Sequence, residues 1–420
     1  MTFEPWMSYG LEWANLLLRW THVITAIAWV GSSFYFVWLD NSLTRPDDPA
    51  LRDKGVGGEL WAVHGGGFYN PQKYLGAPPT VPKSLHWFYW ESYSTWLSGF
   101  ALFTVLYLFQ AGTYLVDASV HKWSALAAVH TALGFLVGFW LLYDLICRTC
   151  GQRRLGPLSG DALVGLLVFG VIVWASWLAC QLFAGRAAFL LVGAMVATAM
   201  SANVFFWIIP GQRKVVAAIQ AGQPVDPVHG QRGKQRSVHN TYFTLPVLIA
   251  MLSNHYGWLT GAPHNWLVLV LMMLVGALVR QFFVARHKTA VAGQPAPWGW
   301  AVAGVALLLG VIGWLAPAPQ TVKAAAAAQA AASAHETPAE LDARAWGIVQ
   351  QRCVLCHNAQ LANKGVRLDS PEALRQHAQA VYQQAVVLKA MPMNNATQIT
   401  DEERSVLGRW YQAQAQVTPR

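Results

Sequence analysis

Cys353-Val354-Leu355-Cys356-His357 places two thiols three positions apart, with an imidazole directly after the second. That spacing is the attachment signature of a c-type haem. Each thiol forms a thioether to one vinyl group of the ring, and the adjacent histidine is then held beneath it as the proximal iron ligand. Further along, Met391 stands directly before Pro392 and suits the sixth position, with Met393 the alternative on the same stretch. A His/Met pair raises the reduction potential, which fits an electron acceptor. The flanking elements have the right patterns to position this set. Ala339–Gln351 reads as an amphipathic helix leading into the motif. Thr400-Asp401-Glu402-Glu403 opens a last helix with a capping hydroxyl and an acidic first turn. Covalent haem attachment takes place outside the bacterial inner membrane, so the motif also assigns a side to the C-terminal region.

The rest of the chain must supply and deliver electrons, and most of it is not built for water. Of 420 residues, 55% are hydrophobic and only 12% charged, against roughly 25% charged in soluble domains. The net charge of +9 belongs to the rim of a membrane protein, which excludes nucleic acid as the partner. No cleavable signal peptide is evident. Apolar runs over about Trp13–Leu39, Trp96–Val116, Trp123–Ile146, Asp161–Phe183, Ala187–Ile209, Asn240–Trp258, Asn265–Ala285 and Trp298–Ala316 are each long enough to cross a bilayer, which takes ~20 residues. The expectation is an all-α architecture: an eight-span transmembrane helix bundle over residues 1–316, an Ala/Pro-rich linker over 317–338, and a small class I-like cytochrome c domain over 339–420. Eight spans put both termini on one side, and the haem signature makes that side the periplasm. Charge bias agrees independently. The loops then left in the cytoplasm carry fifteen Lys and Arg, among them Arg148, Arg153, Arg154, Arg213, Arg236 and Lys288, against Lys122 and Arg186 outside. Two long cytoplasmic loops, Asp40–Tyr93 and Pro210–His239, are expected, and long ordered loops are often functional. Cys147 and Cys150 read as reduced thiols at a helix end, and Cys180 as an apolar residue of a span.

Ionisable residues inside spans are costly and mark function. His22, His130 and His255 fall in predicted spans at a common depth toward the periplasmic side. Histidines on facing helices hold a b-type haem, so two of these three are candidate axial ligands, with the pair left open. At the opposite face Glu91, Asp144, His239, Asn240 and Arg280 gather near Trp87 and Trp90. Aromatic planes, amides and a guanidinium suit a flat, polar, anionic ring. Trp90, His239, Asn240 and Arg280 are therefore the substrate-binding candidates, and Glu59, His64 and Glu91 the candidates for a general base.

Several long stretches carry a resemblance. Gly58-Glu59-Leu60-Trp61-Ala62-Val63-His64-Gly65-Gly66-Gly67-Phe68-Tyr69, Leu85-His86-Trp87-Phe88-Tyr89-Trp90-Glu91, Ser201-Ala202-Asn203-Val204-Phe205-Phe206-Trp207-Ile208-Ile209-Pro210-Gly211-Gln212 and Ser237-Val238-His239-Asn240-Thr241-Tyr242-Phe243-Thr244-Leu245-Pro246 are similar to the bacterial membrane-bound, cytochrome c-linked urate oxidases. The resemblance covers essentially the whole chain. It implies oxidation of urate to 5-hydroxyisourate, with electrons passing to cytochrome c rather than dioxygen, so that no hydrogen peroxide forms. The identity of the substrate comes from this resemblance, not from composition or spacing. The region from Arg19-Trp20-Thr21-His22 to Gly31 is also similar to the first helix of small haem-binding membrane proteins.

The reading is thus an inner-membrane oxidoreductase carrying haem c, with a haem b in the bundle as a further expectation. Its partners are urate, a periplasmic electron acceptor (a cytochrome c or a terminal oxidase) and the bilayer. The alternative is a membrane-anchored cytochrome c subunit whose catalytic site lies on a partner chain. A transporter with a fused redox module is a third reading, distinguished by substrate accumulating in vesicles without oxidation.

Overall fold

The structure is a computed structural model, and residues 4–151, 159–316, 337–362 and 365–417 are described. It is mostly helical, as chains so apolar must be wherever no water can satisfy the backbone. The N-terminal part contains α1 (Glu4–Ser42), α2 (Pro49–Asp53), α3 (Trp90–Phe103), α4 (Ala111–Tyr114), α5 (Ala125–Cys150), α6 (Gly160–Leu182) and α7 (Gly185–Asn203). It continues with α8 (Ile209–Gln220), α9 (Pro227–Leu252), α10 (Gly257–Thr260), α11 (Asn265–Val291) and α12 (Trp298–Leu315). Among the described residues six helices are long and apolar enough to cross a membrane: Tyr9–Ser42, Ala125–Cys150, Gly160–Leu182, Gly185–Gln220, Asn265–Val291 and Trp298–Leu315. α7 is the axle of the bundle. Leu191, Val192, Met195 and Val196 are fully buried there, and α5 and α9 pack against it. Alanines such as Ala128, Ala132, Ala179, Ala188 and Ala199 line these contacts and let the backbones approach, which is how helices associate without a hydrophobic driving force.

The two remaining expected spans take a different form. Trp96–Val116 is broken into α3, a π-helical segment Thr104–Leu108, and α4. Asn240–Trp258 is only the second half of α9, which ends at Leu252 before a 3-10 turn, Ser253–His255. Correspondingly, Pro210–His239 is not a loop. It is the helical hairpin of α8 and α9, because Asp226 caps the second helix through the Val228 amide (2.9 Å) and Pro227 occupies its first turn. The other long connection, 43–89, departs from an all-α description. It holds four short strands in two antiparallel pairs, β1 (Val56–Glu59) with β4 (Gln72–Tyr74) and β2 (Ala62–His64) with β3 (Gly67–Tyr69). Arg153 and Arg154, and positions 317–336 of the expected linker, lie outside the described residues.

The C-terminal unit has its own core. α13 (Pro338–Arg352), α14 (Pro371–Gln376), α15 (Ala378–Val381) and α16 (Asp401–Val417) bury Leu341, Ala345, Val349, Leu374, Leu407 and Trp410 together. Trp410 is anchored at its polar end, where Nε1 donates to Asp342 at 2.5 Å. Thr337 and Glu340 form a reciprocal capping box at the start of α13, the helix that delivers Cys353. Thr337→Ala is therefore expected to lower the stability of this unit by about 1 kcal/mol, read as a shifted urea midpoint with unchanged slope. The unit rests on the end of the bundle formed by α4 and α10. The Met393–Asn395 turn packs on α4, and a Cβ at Gly257 would meet Leu388 O at 3.0 Å and Arg186 Nη2 at 2.9 Å, so a larger residue there would displace the Arg186 side chain and crowd Leu388 O.

Candidate functional site

The polar groups of the bundle concentrate at the end away from that unit. Tyr143 lies 18 residues into α5, ~27 Å along the helix from its start beside α4. Its hydroxyl sits 2.8 Å from His239 Nδ1 and accepts from Asn203 Nδ2 at 2.9 Å. Asn203 also donates to Asn240 Oδ1 at 2.9 Å, and Asn240 donates to Met200 O at 3.0 Å. The next residue, Asp144, accepts from Arg236 Nη2 (2.7 Å), Trp207 Nε1 (2.7 Å) and Arg148 Nε (2.6 Å). The Arg236 guanidinium lies 5.0 Å from the Tyr143 ring centre and 5.1 Å from that of Trp207. Helical spacing builds the cluster. Arg236, His239, Asn240 and Phe243 recur at three- and four-residue intervals and share one face of α9, turned to α5 and α7. Two polar atoms are left open, Asn203 Oδ1 and Arg236 Nη1. An acceptor, a charged donor and an imidazole between aromatic rings can bind a polar heterocycle and take up a proton.

Arg280 does not join this network. It belongs to another face, between α11, α1 and α9, where its guanidinium carbon sits 3.9 Å over the Phe34 ring. Tyr242, beside it on α9, donates to Gln281. The structure therefore brings His239 and Asn240 together and separates Arg280 from them. Trp90 is 62% exposed at the start of α3, in edge contact with Tyr93, and Glu91 is half-buried beside it. Glu59 accepts from Asn70 Nδ2 at 3.0 Å at the end of β1, while His64 is exposed at the tip of the β2–β3 hairpin. Glu59 and His64 sit on the connection outside the helices, and Glu91 lies in the first turn of α3. Tyr143, Asn203, Trp207 and Arg236 complete the network without having been singled out as site residues. An asparagine inside an apolar run, and an arginine three and four residues before His239 and Asn240, were the available signals.

The model of the family described as "Urate oxidase N-terminal" matches residues 8–316. The chain belongs to the urate oxidase N-terminal family. No curated protein and no solved structure matches it. The network, Arg280 and the hairpin connection all lie within the span that the urate oxidase N-terminal model covers, and the C-terminal unit lies beyond it.

The three candidate haem-ligand histidines sit on separate elements of the family domain. His22 Nδ1 lies 3.1 Å from Thr95 O and 3.2 Å from Ser98 Oγ, and its ring is pressed onto α3 so closely that a Cβ at Gly99 would meet Cε1 at 2.7 Å. His130 is exposed and bonded to Leu126 O of its own helix at 2.9 Å. His255 is exposed in the turn after α9. They stand on α1, on α5 and in the turn after α9, and among the described residues none of the three bonds to another.

The C-terminal unit presents a donor set that does fit a covalently held haem. Cys353 and Cys356 are free thiols, the first packed against the unit's core and the second exposed. Burial pushes the Cys353 thiol up to about 11. The His357 Nδ1–H donates to Val366 O at 3.1 Å, which fixes the ring and leaves Nε2 as the ligand atom. Met391 is held through its backbone. Its amide donates to Gln384 O at 3.0 Å, and buried Arg404 donates to Met391 O at 2.7 Å. Arg352, the last residue of α13, reaches Glu403 Oε1 at 2.9 Å, tying the helix before the motif to the helix after the methionines. Burial works against ionisation of Glu403, yet the Thr400 amide and Arg352 hold its carboxyl below the ordinary value.

Proposed function

We propose that this chain is a membrane-bound oxidoreductase that converts urate to 5-hydroxyisourate and passes the electrons to a periplasmic cytochrome c-type acceptor without forming hydrogen peroxide. The observation that carries this reading is the presence, on one polypeptide, of the family domain over residues 8–316 and the Cys353-x-x-Cys356-His357 unit docked on its end. The reaction balances as urate plus water giving 5-hydroxyisourate, two protons and two electrons. A haem held by Cys353, Cys356, His357 and Met391 would supply a one-electron outlet when bound. The chain's own residues handle the rest. The protons need an acceptor, and His239 is the half-buried imidazole at the polar end, with Glu59, His64 and Glu91 as alternatives on or beside the hairpin connection. Asn203 and Asn240 orient polar edges of the ring, and Trp207 and Tyr143 shield the site from water.

In this reading α3–α4 and the second half of α9 count as the seventh and eighth crossings, so both termini are periplasmic and the polar end faces the cytoplasm of a bacterial cell. The fifteen-to-two division of Lys and Arg supports it. The test is the purified full-length chain with urate and added ferric cytochrome c. Two equivalents of acceptor should be reduced per urate consumed, with no peroxide. A pure chain that carries haem but turns over nothing would favour the alternative, an electron-transfer subunit for a catalytic partner. Met391→Ala should lower the haem's midpoint potential markedly while Met393→Ala leaves it in place, as redox titration will report. The reverse result would make Met393 the ligand.

A further inference from the structure

Arg280 is 5% exposed, and its Nε and Nη2 have no hydrogen-bond partner. These two nitrogens form one edge of the guanidinium, the parallel pair of N–H donors that grips a planar group with two adjacent acceptors. Among the described residues no carboxylate pairs with it, and the ionisable groups that feel its charge are Tyr242 and His287. The contrast with Arg236 is instructive. That guanidinium is equally buried but is neutralised by Asp144 at 2.7 Å. A buried charge without a partner is strongly disfavoured, so a chain that keeps one holds it for something that brings the opposite charge. The neighbours narrow the choice. Arg280 lies six residues short of Arg286, ~9 Å along α11 from its basic end. The face of Phe34 backs the guanidinium at 3.9 Å, and Gln281, which accepts from Tyr242, stands next to it in the chain. Both free N–H groups are shielded from water.

We propose that the free edge of Arg280 is the anion-recognition subsite for substrate, receiving two adjacent acceptors on one side of a planar, singly charged heterocycle. This rests on the urate reading above and moves recognition of charge to the α1–α9–α11 groove. The Asp144–Arg236 pair is neutral within itself and offers the anion no free charge.

The test is equilibrium binding of labelled urate to the full-length protein in nanodiscs of phosphatidylcholine, alongside turnover and thermal melting. Arg280→Gln should weaken urate binding by about a hundredfold, and Arg280→Lys, which keeps the charge without the fork, by about tenfold. The melting curve separates recognition from scaffolding. Without urate, Arg280→Met should melt at a higher temperature than the native chain, because a charge with no partner has been removed, and added urate should no longer shift it. Unchanged urate affinity in Arg280→Gln, with wild-type turnover, overturns the proposal and leaves the urate reading standing. A native chain that binds urate through Arg280 but never oxidises it does the opposite. A lower melting temperature in Arg280→Met, or co-purification of an anionic lipid with the native chain but not with Arg280→Gln at equal urate affinity, also overturns it.

Discussion

A chain carrying Cys353→Ser and Cys356→Ser together is expected to reach the membrane folded, carry no covalently bound haem, and lose urate-driven reduction of an external cytochrome c by a hundredfold or more, on the order of 3 kcal/mol or greater in the effective barrier. A serine hydroxyl does not form the thioether, so the loss is chemical rather than conformational at the bundle. The two cores make that separation reasonable. The bundle's buried cluster runs from Phe103 to Met273, whereas that of the C-terminal unit contains only residues from Leu341 onward. The small unit itself should suffer, because so short a helical domain depends on its prosthetic group for part of its core. Three measurements keep the causes apart: haem staining of the denatured protein, the melting temperature of the membrane fraction, and urate binding. Loss of haem and turnover with retained urate binding is the expected pattern. Undiminished turnover by the double serine chain would show that electrons leave by another route, and the proposed function would have to be abandoned.

How much of this was legible in the sequence depends on how each stretch solves its hydrogen-bonding problem. α5, α6, α7, α11 and α12 are continuous apolar runs whose backbone has no option but helix, and their positions were evident. α9 was hidden because its first half carries Arg232, Lys234 and Arg236, which read as a polar connection. The Asp226 cap and Pro227 were the signs that helix begins there. The strands of the 43–89 connection are three or four residues long, too short for a period of two to register, although Gly65 and Gly66, with φ of 58° and 80°, mark the tight turn between β2 and β3. At the site, grouping polar residues by end of the bundle brought His239, Asn240 and Asp144 to one level but did not resolve direction around a helix axis. Applying the 3.6-residue period to α9 separates the face with Arg236, Asn240 and Phe243 from the face with Tyr242, and that division sends Arg280 to a different groove. Depth in a bundle follows from counting residues, whereas facing requires knowing which neighbour each helix packs against.

The second large effect concerns Asp144. Asp144→Ala is expected to destabilise the bundle by about 3–5 kcal/mol, because it strips the counter-charge from Arg236 where the guanidinium cannot reach water. The partners are unequal. Arg148 is 59% exposed on its side chain, so its bond to Asp144, although 2.6 Å long, contributes little beyond what water would provide. Arg236 is 3% exposed, and its 2.7 Å contact with Asp144 is the one whose loss is expensive. Asp144→Asn keeps an acceptor for Arg236 and for the Trp207 indole and should cost less. A cycle with Arg236→Met decides between a charge effect and a packing effect. If the penalty is an orphaned cation, the double variant Asp144→Ala with Arg236→Met should recover most of the stability lost in Asp144→Ala, since no buried charge is then left without its partner. Denaturant titration in mixed micelles would measure all four corners. Recovery of stability without recovery of urate turnover would assign the pair a part in the chemistry beyond holding α5 to α9. Additive losses in the double variant would mean that Asp144 and Arg236 act independently, and the network would then be no more than a set of separate contacts.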